Sequence, residues 1–76
     1  MQTSVFTDHL KELWKHSAKL DTGKATHTDF INLQRLEARI INAPEIGYYS
    51  YTEYKSLYAI ANTLHDDYRA ALDLNR

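Results

Sequence analysis

At 76 residues and 43% hydrophobic composition, the chain makes one globular domain, 1–76, with a modest core. It contains no cysteine, which excludes a disulfide framework, a thiolate nucleophile and a zinc–cysteine site. Its net charge of −1 lacks the excess of lysine and arginine with which nucleic-acid binders meet phosphates.

The first residues, MQTSVFTDHLKELWKH, have no long apolar run and soon carry charge. They read as neither a signal peptide nor a membrane span, so a cytoplasmic, membrane-free protein is expected. Two glycines and one proline punctuate the rest of the chain. Gly23 in LDTGKAT and Pro44 with Gly47 in NAPEIG divide it into three segments.

In the first segment Phe6, Leu10, Leu13 and Trp14 recur at helical spacing. Thr3 or Ser4 can cap its start, and Gly23 supplies a C-terminal stop, giving a helix over about 4–19. His9, Glu12 and His16 share one face of that helix, a spacing that could hold a transition ion. They lie off the apolar stripe, so a solvated face is expected in place of a metal site, and no cofactor is expected. The Glu-x-x-His pattern of di-metal bundles is absent.

The second segment opens on Thr26-His27-Thr28-Asp29, an [ST]-x-x-[DE] start signal. Phe30, Leu33, Leu36, Ile40 and Ile41 form its stripe, and Pro44 should push Ala43 out of helical geometry, ending a helix over about 27–42. Lys11, Lys15 and Lys19 line one edge of the first helix, and Arg35 with Arg39 one edge of the second. Asp8 and Glu12 stand three residues before Lys11 and Lys15, so both rows read as ordinary paired surface.

The third segment opens on Ser50-Tyr51-Thr52-Glu53, a full capping box, and nothing interrupts a helix over about 51–74. Its apolar arc covers about half the circumference, wider than the ≳ 100° stripe one docking surface needs. Leu57, Ile60, Leu64, Tyr68 and Ala71 make an aliphatic half, expected as core. Tyr51, Tyr54, Tyr58, His65 and Leu72 make an aromatic half, expected either to cover the first helix near Trp14 or to stay at the surface. The architecture is therefore all-α, a compact three-helix bundle, with a helical homodimer as one use of so wide an arc.

Function rests on GYYSYTEYKSLY, where five of the six tyrosines fall within residues 47–58. Tyr54, central on the arc, is the first of them expected in the core. Base stacking would need a basic groove, and the local charges are Glu45, Glu53 and Lys55. Tyrosine gives large contact area for few torsions and is enriched in binding hot spots. Tyr48, Tyr49, Tyr51, Tyr54, Tyr58 and His65 are therefore the candidate protein interface. No Gly-rich phosphate loop, GxSxG or HExxH motif occurs, and no enzymatic activity is expected.

The leading reading is a non-enzymatic protein-binding module, a small regulator or inhibitor that occupies the surface of another protein or of its own copy. Phage and plasmid inhibitors of host machinery are similar in size and composition, an analogy carried by no motif. The alternative is a helix-turn-helix-like DNA-binding regulator, with the third helix reading the major groove. Against it stand the long connection from Asn42 to Ser50 and the single lysine in the first turns of that helix.

Overall fold

The computed structural model describes residues 4–73. They form three helices, α1 (Val5–Asp21), α2 (His27–Asn42) and α3 (Tyr51–Ala71), each packed against the other two. None is long and apolar enough to cross a membrane.

Each helix begins where its side chains can satisfy the free N–H groups of a first turn. Ser4 caps α1 by accepting from the Thr7 N–H; Thr3, the other candidate cap, lies outside the described residues. Both sequence-predicted capping boxes are formed, Thr26 with Asp29 on α2 and Ser50 with Glu53 on α3.

The C-termini are more informative. Past α1, Lys24 N–H donates to the Lys19 carbonyl at 2.8 Å and Gly23 N–H to Leu20 at 3.2 Å. That is a Schellman turn, which needs a left-handed residue, and Gly23 has φ +70°. α2 stops at Asn42 as expected, but for another reason. Ala43 is not pushed out of helical geometry; it keeps φ −58°, ψ −42°. The chain takes one more turn through Pro44, whose missing N–H is tolerated at such a start, before a second Schellman turn reverses it. Tyr48 N–H donates to the Ala43 carbonyl and Gly47 N–H to Pro44, with Gly47 at φ +81°. A methyl group at Gly47 would meet nothing within 4 Å, so alanine there is opposed by backbone strain alone. α3 ends at Ala71, short of 74, because Asp73 takes a left-handed conformation at φ 57°. Leu74 itself lies outside the described residues.

The helices run up, down, up. His16 and Lys19 late in α1 meet Tyr68 late in α3 and Asp29 early in α2. Phe30 early in α2 stacks on Tyr68. The core is Leu13 from α1, Leu33, Leu36 and Ile40 from α2, Ala43, Tyr49, and Leu57, Ala61, Leu64 and Tyr68 from α3. Fully burying one such leucine contributes roughly 1.5–3 kcal/mol.

Two faces are rotated from the sequence expectation. On α1, His9 is buried beside Leu13, whereas Trp14 is 57% exposed. On α3 the buried positions are 57, 61, 64 and 68, so Ala61 replaces Ile60 and Ala71 at the centre of the buried face. A helix touching two neighbours buries the bisector of its contacts, here the boundary between the aliphatic and aromatic halves. Apolar residues on either flank are left half-covered.

Candidate interaction surface

The six tyrosines divide into three environments. Tyr68, the one outside the cluster, is fully buried. Its O–H donates to the His16 carbonyl at 2.8 Å, fastening the last turn of α3 to α1. Burial pushes its phenol pKa up, with the Asp29 carboxylate adding to the effect.

Tyr49 is 8% exposed and does not belong to the surface expected for it. The turn at Gly47 folds the chain back, so the ring drops against the start of α1, edge-on to Phe6 and His9 at 5.8 Å each. Its hydroxyl oxygen lies 3.0 Å from His9 Nδ1, a hydrogen bond that satisfies both buried polar groups. Desolvation lowers the His9 pKa; Glu12 and Asp8 oppose the shift and Arg39 reinforces it. Desolvation, then Glu53, raises the Tyr49 pKa.

Tyr48 and Tyr51 are 55% and 66% exposed. Tyr51 begins a row on α3, edge-to-face with Tyr54 at 5.4 Å, which is tilted against Tyr58 at 5.5 Å. Tyr54 and Tyr58 are half-buried, and Tyr54 packs on the core. The aromatic half does not cover Trp14. His65, one side of α3 with Tyr58 at 100° per residue, donates from Nδ1 to Glu37 on α2 at 3.0 Å and packs on Phe30 at 5.1 Å. That flank therefore faces α2. His65 is a helix–helix contact at the rear of the row, not its exposed tip.

Three further features were not foreseen. Exposed Ile41 and Ile46 stand in the same stretch of chain as Tyr48 and Tyr51. The flank of α3 that faces α1 opens into a groove of ≈ 370 Å³, whose lining includes Trp14, Ile60 and Leu64. The two basic rows, taken as separate surfaces, converge: Lys15, Arg35 and Arg39 line one cleft between α1 and α2. Only the wheel offsets of Trp14 and Ile60 could have hinted at the groove, and no sequence signal places α1 beside α2.

His9, Glu12 and His16 do not form the solvated face expected: His9 is buried and the other two are half-buried. Nor do they point together. His9 faces Tyr49, and His16 Nδ1–H donates to the Glu12 backbone carbonyl at 2.8 Å. Among the described residues no three metal-ligating side chains cluster. No known protein family, curated protein or solved structure matches the chain.

Proposed function

We propose that this protein is a binding module that regulates or inhibits another protein by covering part of its surface. One observation carries the reading. Of six large hydrophobic side chains left exposed among the described residues, four fall between residues 41 and 51: Ile41, Ile46, Tyr48 and Tyr51. Clustered exposed apolar groups mark interaction sites far better than single scattered ones. The Tyr51–Tyr54–Tyr58 row supports it further, since rings already packed on one another lose little freedom on docking.

The DNA-reading alternative has less support: the cations that share a cleft come from α1 and α2, and none comes from the first turns of α3 that would enter a groove.

The test is the double substitution Tyr48→Ala, Tyr51→Ala. Affinity capture from the native host, with light scattering alongside, should show a partner or a self-associated species that the variant loses. Its melting temperature should stay within several degrees of the parent, since exposed substitutions cost about 0.5 kcal/mol or less each. If capture and mass are both unchanged by the variant, the aromatic surface is not the binding surface.

A further inference from the structure

A second surface, on a different seam, has its own chemistry. α1 and α2 are the least closely packed pair of helices, and the seam between them is open as a cleft of ≈ 330 Å³. Its walls are Glu12, Lys15, His16, Asn32, Arg35 and Arg39, three permanent cations against one carboxylate on a chain of net charge −1. The i, i+3 pairs expected to neutralise the lysines do not form. The ion pairs among the described residues are Lys19–Asp29 and His65–Glu37, so Lys15, Arg35 and Arg39 have none.

We propose that this cleft docks an acidic helical segment of a partner protein. Arg35 and Arg39 are one turn apart, about 6 Å along the axis, which is also the spacing of carboxylates at i and i+4 on an opposing helix. Guanidinium groups take carboxylates through two parallel N–H bonds, and Lys15 supplies a third positive charge from the opposite wall. Glu12 decides between an acidic peptide and a nucleic-acid backbone. Inside a cationic cleft it repels a continuous run of phosphates, whereas a peptide can set a lysine or an amide donor against it. The only ring in the walls is that of His16, turned to its own helix, so bases would find no stacking platform. The site is separate from the aromatic surface and does not depend on it.

The probe is a fluorescein-labelled, alanine-based helical peptide with two glutamate pairs at i, i+4 and one lysine, followed by anisotropy. Saturable binding is expected at about 20 mM salt, weakening at least about tenfold by about 200 mM as the charges are screened. Arg35→Gln with Arg39→Gln should weaken it at least about tenfold, because both forks are removed. Lys55→Gln, on α3, and the Tyr48→Ala, Tyr51→Ala variant should leave it unchanged. Glu12→Gln should raise affinity for a single-stranded oligonucleotide of equal charge, which the parent should bind more weakly than the peptide. Absence of saturable peptide binding at low salt overturns the proposal. So does an oligonucleotide preference in the parent, or an equal loss in the Lys55 or tyrosine controls.

Discussion

The two ends of the bundle are built from the same materials and finished differently. At the end where α1 meets α2, the rings face inward and the buried carboxylate is paired. Tyr68 is fully buried and bonded to a carbonyl, Phe30 stacks on it, and Asp29 is held by Lys19 at 2.6 Å. At the other end, where α2 turns into α3, one ring of the loop goes inside. Tyr49 packs on Phe6 and His9, while Ile46, Tyr48 and Tyr51 remain exposed. Connection length is the physical difference. Residues 22–26 cross directly between neighbouring helices, whereas 43–50 make an extra turn and a reversal, carrying apolar side chains past the reach of the core. A ring fastened by its hydroxyl lies at the first end, and more exposed apolar surface is left over at the second.

The sharpest way to break this contrast is to exchange rings for methyl groups. Tyr68→Ala should cost about 3–5 kcal/mol, the range for losing a buried aromatic, and so remove much of the stability of a domain this small. Tyr51→Ala should stay within about 0.5 kcal/mol. Urea denaturation of the two variants measures both, and similar losses would erase the distinction between the ends.

The paired capping boxes offer a subtler comparison, since the same motif stands at each end. Asp29→Ala should cost about 1–2 kcal/mol, because it removes the N3 half of a capping box together with the Lys19 contact. That contact counts for little more than a surface pair, as Lys19 is half exposed. Glu53→Ala should cost about 0.5–1 kcal/mol, the N3 half of the box alone. Hydrogen bonds from Lys19 and Thr26 outweigh burial and lower the Asp29 pKa. Its contribution is therefore present above the unfolded value near 4 and is lost as pH falls through the lower folded value. An acid titration of Asp29→Asn should lack that part of the parent's decline.

A third effect belongs to the open end alone. Burial against Tyr49 lowers the His9 pKa, with Glu12 and Asp8 favouring the proton and Arg39 opposing it. Above the unfolded histidine value near 6.5 the ring is neutral in both states and the effect is absent. Below it the unfolded chain takes the proton first, so stability falls with pH until the lower folded pKa is passed. Melting curves from pH 7.5 to 5.5, as a range spanning about one unit on each side, should decline more steeply for the parent than for His9→Leu. Equal slopes would show that this end is not sensitised by His9.

The smallest effect expected is on Trp14, the single tryptophan. At 57% exposure its emission should already be water-like and readily quenched by iodide, changing little on unfolding. A blue-shifted, protected signal would mean that the α1–α3 groove is closed in solution.

Much of this was legible in the residues. Helix number, order and starts follow from local chemistry: a hydroxyl and a carboxylate three apart close a capping box at the start of both α2 and α3, and Gly23 and Gly47 mark left-handed turns. The all-α three-helix architecture follows from the same signals. Local chemistry does not state how far each helix is rotated. Phe6, Leu10, Leu13 and Trp14 define an apolar face, yet packing against two neighbours chose a face containing His9 and left Trp14 outside. Nor could spacing along one chain foresee that Tyr49 would leave the cluster for α1, or that Lys15 would meet Arg35 and Arg39. Those are contacts between residues far apart in sequence. Only the tertiary structure decides them, because burial is set by where three helices meet and not by the hydrophobicity of any one.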